Sequence, residues 1–202
     1  MKEPDKDVTI FNPANLVTLS RIGILILLAL TIRVNVYWIR VLCVSLVPLL
    51  FYLDSLDGYL ARHLNCSTHL GGILDVAGDR IVENVLWILL AYVKIIPLWI
   101  PVIVIVRGFI TDGFRSAAAA QGHSTFSMMK SKLGWWLVAS PASRTSYAIL
   151  KAVIFTIGIS IWGFNLEHLF TLVLLFKILV AITLIQSLLR GTFTVRECAH
   201  LL

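Results

Sequence analysis

Six apolar segments run through this chain, each near the ~20 residues that a helix needs to cross the hydrocarbon core of a bilayer. They lie at about Leu16–Ile32, Trp38–Arg62, Leu70–Val93, Leu98–Ala118, Tyr147–Trp162 and Leu169–Leu189, the fifth with a candidate earlier start near Leu133. Inside hydrocarbon every backbone N–H and C=O must find its partner within its own segment, so long apolar runs predict helices. Composition agrees: 58% of the 202 residues are hydrophobic and 14% charged, against about half and about a quarter in an ordinary soluble domain. The predicted fold is all-α, an integral membrane bundle of six transmembrane helices. No linker or repeat divides it, so residues 1–202 are expected to form a single domain with residues 1–15 as an N-terminal arm. That arm has mixed charge and lacks the basic start, apolar core and cleavage site of a signal peptide. Pro13 suits the first position of a helix.

The formal net charge is +6. The basic residues sit at helix ends and beside apolar runs, so anionic lipid headgroups or phosphorylated substrates, and not nucleic acid, are the expected partners. With the N-terminus in the cytoplasm, Lys2, Lys6, Arg62, Arg115, Lys130, Lys132, Arg144, Arg190 and Arg196 fall on or near the cytoplasmic side. Arg33, Arg40 and Lys94 fall outside, and the excess favours this orientation. Both termini are then cytoplasmic. The connection 121–146 is cytoplasmic too, and Met128–Leu137 within it is expected to form an interfacial helix, with Trp135 and Trp136 at the boundary. Cys43, Cys66 and Cys198 are far apart and read as packing thiols, with neither a disulfide framework nor a zinc site.

The most informative stretch is DSLDGYLARHLNCSTHLGGILDVAGD, residues 54–79. It sets four carboxylates in apolar surroundings, where an ionisable group costs at least about 2.5–3.5 kcal/mol. Residues three or four apart share a helix face. Asp54 and Asp57 therefore line one face of the second span, continued by Gly58, Ala61 and Arg62, and Asp75 and Asp79 line one face of the third. The connection between these spans is short, so they are expected to be antiparallel neighbours whose acidic faces meet. Converging carboxylates make a hard oxygen site suited to Mg²⁺ or Mn²⁺, with room for two ions about 3.5–4 Å apart and a diphosphate to complete the coordination. One carboxylate can take the proton of an attacking alcohol. Gly58, Ala61 and Gly71 permit close approach of a nucleotide or of the neighbouring helix, and Arg62 can bind a phosphate oxygen. Two blander readings stand beside this one: the aspartates pair with Arg62, Arg80 and Arg107 to knit the bundle together, or they line the ion pathway of a transporter.

The full spacing, Asp54-x2-Asp57-Gly58-x2-Ala61-Arg62-x8-Gly71-x3-Asp75-x3-Asp79, resembles position for position the signature of the CDP-alcohol phosphatidyltransferases. The resemblance implies a six-helix membrane fold with a cytoplasm-facing polar cavity, a homodimer, and a CDP-linked donor cleaved to release CMP. It implies that Asp54, Asp57 and Asp75 are metal ligands, that Asp79 is the general base and touches metal, and that Gly58, Ala61 and Arg62 contact the cytidine diphosphate.

A second resemblance narrows the acceptor. Asn12-Pro13-Ala14-Asn15-Leu16-Val17-Thr18-Leu19-Ser20-Arg21 is similar to the P-N-x-L-T-x-x-R opening of bacterial phosphatidylglycerophosphate synthases, with one residue inserted after the proline and Val17 in place of the Leu. Asn15 and Thr18, three apart, are candidates for nucleotide contact; the alternative for Asn15 is a cap on the first helix. Arg107 and Arg115 resemble the R-E-x6-R element of the same enzymes, and Lys130-Ser131-Lys132 their basic K-x-K. These four basic residues are the candidate acceptor site, and they favour a phosphorylated alcohol. Gly108 replaces the usual Glu, Met129 the usual Gly, and Val76-Ala77-Gly78-Asp79-Arg80 the usual P-x-A-D-K. The expected activity is transfer of a phosphatidyl group from CDP-diacylglycerol to glycerol 3-phosphate. Inositol phosphate, inositol or phosphatidylglycerol are the alternative acceptors, and an ion-coupled transporter or a noncatalytic membrane scaffold are the alternatives of another class. His63 and His69 flank the loop after Arg62 and read as ordinary loop histidines; Glu83 is expected to be structural, and Asp112 to orient Arg115.

Overall fold

The computed structural model describes residues 13–63, 69–121 and 131–200, with the backbone alone for 13, 14, 57–63, 69 and 70. The chain is helical, and each predicted span corresponds to one long helix: α1 (Pro13–Thr31), α2 (Tyr37–His63), α3 (His69–Tyr92), α4 (Trp99–Ala120), α6 (Pro141–Gly163) and α7 (Phe170–Ala199). Between α4 and α6 lie a single turn, α5 (Lys132–Gly134), and a π-helical segment, Trp135–Ala139; a 3₁₀ turn, Leu166–His168, precedes α7. Among the described residues, three helices are long and apolar enough to cross a membrane: α2 over Tyr37–Leu56, α6 and α7. A shorter apolar helix covers Asn15–Thr31. α3 carries Asp75, Asp79, Arg80 and Glu83, and α4 carries Arg107, Asp112 and Arg115, so both are too charged to be read as spans from apolarity alone.

Large apolar side chains face outward on the long helices, among them Leu30 on α1, Phe109 on α4 and Ile185 on α7. A water-soluble monomer rarely exposes so continuous an apolar surface. Hydroxyl side chains within the helices turn back on their own backbone, which spares them a partner in lipid. Thr31 donates to Leu27 O at 2.7 Å, Thr111 to Arg107 O at 2.7 Å, Ser160 to Thr156 O at 2.7 Å and Thr183 to Leu179 O at 2.9 Å.

The chain divides into two compact units, residues 1–89 and 90–202. In the first, α1 and α2 form a hairpin with buried Leu25, Leu28, Cys43, Val47 and Leu50. The turn is tied by Arg40 Nη2, which donates to Asn35 Oδ1 at 2.7 Å, and Thr31 Oγ1 sits 3.5 Å from Cys43 Sγ. Pro48 lies inside α2, where it removes one backbone donor from the helical ladder. Cys43 and Cys198 are buried thiols; Cys66 lies outside the described residues.

In the second unit α7 packs against α4 and α6. Gly158 allows a close approach, because a Cβ there would meet Leu90 Cδ2 at 2.6 Å and Phe176 Cε2 at 3.0 Å. Lys94 and Asn165 adopt left-handed backbone, with φ 64° and 53°. Asn tolerates this conformation readily, and at Asn165 it ends α6 in the usual manner of a helix C-terminus. Ser140 starts α6: its Oγ accepts from Ser143 N at 3.2 Å, and Pro141 follows as the first helical residue.

Three boundaries differ from the sequence reading. The fifth span begins at Pro141, neither at Tyr147 nor near Leu133, because Ser140 and Pro141 form a stop-and-start that hydropathy does not register. The expected interfacial helix is not one regular helix: its described part is α5 running into the π segment, with Trp135 and Trp136 exposed, and Met128–Lys130 lie outside the described residues. α7 continues ten residues beyond Leu189. Apolarity limits the membrane-facing length, whereas helicity ends only where backbone bonding ends.

Candidate active site

The acidic faces of α2 and α3 meet. Asp54, Asp75 and Asp79 each offer a carboxylate oxygen, and the three oxygens lie within 4.8 Å of one another. The helical period explains the arrangement: Asp75 and Asp79 are one turn apart on α3, and α2 delivers Asp54 from the facing side. Asp75 and Asp79 each have 52% of the side chain exposed and Asp54 has 38%, so the cluster opens outward and is reachable by a ligand. Three hard oxygens this close fit a divalent cation such as Mg²⁺ or Mn²⁺. The side chains of Asp57, Gly58, Ala61, Arg62, His63 and His69, and the whole of Lys130, lie outside the described residues.

The residue that sequence reading left without a role is Arg21. Its side chain is 3% exposed, and it projects from α1 into the carboxylates. Nη2 lies 2.5 Å from Asp54 Oδ1 and 2.9 Å from Asp79 Oδ1; Nη1 is 4.0 Å from Asp75 Oδ1. A planar guanidinium with donors on several edges suits such bridging. The signal was present in the sequence: Asn15, Thr18 and Arg21 recur every three residues on one face of α1, and all three are buried. Asn15 is the third residue of α1 and not its cap, so the capping alternative falls; Pro13 opens the helix two residues earlier.

Thr18 sets the register of that face. A Cβ on Gly78 would lie 2.8 Å from Thr18 Cγ2, closer than carbon atoms tolerate. Thr18 is β-branched and stiff, so it has little freedom to yield. Gly78→Ala is expected to destabilise the protein: overpacking costs about 1–3 kcal/mol, against a gain of about 1 kcal/mol in helix propensity. Thr18→Ser removes Cγ2 and is expected to restore the melting temperature of Gly78→Ala in the double variant. Thermal denaturation in detergent checks both.

Glu83 is buried and forms an ion pair with Arg80 Nη1 at 3.7 Å, in keeping with a structural role.

The candidate acceptor residues belong to the second unit. Arg107 runs its stem over Gly191 of α7, where a Cβ would meet Arg107 Cδ at 2.5 Å. Arg107 and Arg196 are the charged residues lining a cavity of about 620 Å³ between α4 and α7 that is otherwise largely apolar. Arg115 is half-buried on the same helix, and Lys132 is exposed in α5. Arg190 joins this basic group, with Arg107, Arg115 and Arg144 all adding positive potential around it. Its own contacts are structural: Nη1 donates to Ser143 O at 3.1 Å and Nη2 to Val138 O at 3.3 Å, and the guanidinium lies 5.2 Å from the Tyr147 ring. It therefore staples α7 to α6 and the π segment. Ser131 caps α5 by accepting from Gly134 N, and its own N–H donates to Glu197 Oε1 at 3.3 Å.

Comparison with known proteins agrees with this geometry. A family model described as CDP-alcohol phosphatidyltransferase matches residues 11–196. The CDP-diacylglycerol–glycerol-3-phosphate 3-phosphatidyltransferase of Bacillus subtilis (strain 168) is 32% identical over 83 residues, which is 41% of this chain. The match spans 43% of that relative's own length.

Proposed function

The chain belongs to the CDP-alcohol phosphatidyltransferase family, and from that premise we propose that it transfers a phosphatidyl group from CDP-diacylglycerol to glycerol 3-phosphate and releases CMP. The observation that carries this reading is the convergence of Asp54, Asp75 and Asp79 from two helices within 4.8 Å, at the spacing the family's signature requires. The name of the Bacillus subtilis relative supports the choice of glycerol 3-phosphate.

The chemistry makes a bond from the acceptor hydroxyl oxygen to the phosphatidyl phosphorus and breaks the bond from that phosphorus to the bridging oxygen. CMP leaves with the electron pair. Charge builds on phosphate oxygens throughout, so positioning and charge neutralisation carry most of the rate. Asp54, Asp57 and Asp75 hold Mg²⁺ or Mn²⁺, two ions in our reading, and Asp79 both shares in that binding and takes the hydroxyl proton. The ions supply neutralisation of the diphosphate. Gly58, Ala61 and Arg62 receive the cytidine diphosphate, with Asn15 and Thr18 on α1 as further nucleotide contacts. Arg107, Arg115, Lys130 and Lys132 are assigned to the acceptor's phosphate. The positive potential among Arg107, Arg115, Arg144 and Arg190 supports a doubly charged acceptor over a neutral one.

In this reading all six long helices span the membrane, α3 and α4 included, because each turns its charged face away from lipid, and the polar cavity of the site faces the cytoplasm. Both termini are cytoplasmic, residues 1–202 act as one functional domain, and the protein works as a homodimer. The family match, which runs across both compact units, supports the single domain.

Purified protein in detergent, given CDP-diacylglycerol and Mg²⁺, is expected to release CMP only when an acceptor is added. In a panel of glycerol 3-phosphate, inositol phosphate, inositol, serine and phosphatidylglycerol, glycerol 3-phosphate is expected to give the highest kcat/KM. CMP release indifferent to glycerol 3-phosphate would sink the acceptor assignment and leave the family chemistry standing.

A further inference from the structure

Arg21 is a full positive charge, 3% exposed, on an otherwise uncharged helix. A buried charge persists only when it is paired and hydrogen-bonded, and Arg21 meets that demand with the carboxylates that form the candidate metal site. The same Nη2 approaches Asp54 Oδ1 at 2.5 Å and Asp79 Oδ1 at 2.9 Å, so one donor group spans α2 and α3. Thr18, one turn earlier on the same face, abuts Gly78 next to Asp79. Mg²⁺ binds carboxylate oxygens at about 2.0–2.1 Å. An ion that close to Asp54 Oδ1 and Asp79 Oδ1 would contend with Nη2 for the same lone pairs, and the two cations would repel each other.

We propose that Arg21 is a positioning residue that serves as the internal counter-cation of Asp54, Asp75 and Asp79, holding α1, α2 and α3 together and competing with the divalent ion for Asp54 and Asp79. The inference rests on the reading of these aspartates as metal ligands. Arg21 thereby lowers the intrinsic ion affinity of the cluster while keeping its oxygens gathered. A residue with a purely structural role would act in the opposite sense, because its loss would scatter the oxygens and weaken ion binding.

The test is Mn²⁺ binding to chelator-stripped, detergent-purified protein, followed by calorimetry or by the paramagnetic signal of free Mn²⁺, together with melting temperatures. Arg21→Met is expected to tighten Mn²⁺ binding by about fivefold or more, as removal of a neighbouring like charge requires. It is also expected to melt below wild type in chelator, with saturating Mn²⁺ narrowing the gap. Arg21→Lys keeps a charge but presents a compact ammonium in place of a bridging fork, so a smaller tightening is expected; it carries the test if Arg21→Met does not fold. Mn²⁺ binding that is lost in Asp75→Asn but unchanged or weaker in both Arg21 variants would overturn the role of Arg21 alone. No Mn²⁺ binding by wild type would overturn the metal reading and the role of Arg21 with it.

Discussion

Asp79→Asn is expected to lower kcat by about 10²–10⁴-fold, the range that general-base catalysis contributes, while CDP-diacylglycerol still binds within a few-fold of wild type. The change is nearly isosteric. The new amide oxygen can still accept from Arg21 Nη2, which stands 2.9 Å from Asp79 Oδ1, so the α1–α3 contact survives. What is lost, in the proposed mechanism, is the group that takes the hydroxyl proton, together with one negative charge. Asp79 stands in the oxygen cluster as well, and the two roles separate experimentally. A loss recovered by raising Mg²⁺ would assign Asp79 to ion binding alone; a loss that persists at saturating Mg²⁺ assigns it to proton transfer. Steady-state CMP release across an Mg²⁺ titration makes the distinction, and unchanged turnover at all concentrations would remove Asp79 from the chemistry.

Chelation is expected to have an effect of similar or greater size. Protein stripped with EDTA should release CMP at least about 10³-fold more slowly, since a divalent ion contributes several kcal/mol to a developing phosphate charge. Mg²⁺ or Mn²⁺ should restore the rate. The expectation comes from the donor set: Asp54, Asp75 and Asp79 bring three carboxylates together, and a diphosphate donor adds more negative charge. Arg21, the cation among them, is already committed to bridging α1 to the other two helices. Activity that survives exhaustive chelation would shift charge neutralisation onto Arg21 and the protein's other guanidiniums.

Much of the fold was legible because bilayer physics writes long words. A helix that must satisfy all its backbone bonds in lipid announces itself over about twenty residues; each of the six apolar segments corresponds to one long helix, and among the described residues α2, α6 and α7 are the three apolar enough to cross a membrane. Local chemistry at the ends was harder to read. Ser140 and Pro141 cut what hydropathy would let run on from Leu133, and the π segment Trp135–Ala139 has the same apolar composition as an α-helix. The polar last third of α7 stays helical because backbone N–H to C=O bonding continues whatever the side chains, which hydropathy does not see.

The site was legible in its carboxylates and not in their partner. Asp54, Asp75 and Asp79 stand out because acid in an apolar run is costly. Arg21 is equally costly, yet it lies thirty-three residues before Asp54 in a segment that otherwise reads as a membrane span, and only the packing of α1 on the acidic faces joins them. The same limit applies to Arg190. Its sequence context suggests a membrane-edge anchor, whereas its bonds to Ser143 and Val138 make it an internal staple.

The contact between Thr18 and Gly78 has one more consequence. Ionic strength acts on charges and leaves methyl groups alone. Were α1 held against α3 by Arg21 and the half-exposed aspartates only, a cation competing for those carboxylates would loosen the alignment. A stiff methyl seated where a helix omits its side chain is a mechanical stop, indifferent to screening. The charged parts of the site are therefore mounted on an uncharged fitting, and their alignment should hold across the range of salt a living membrane meets.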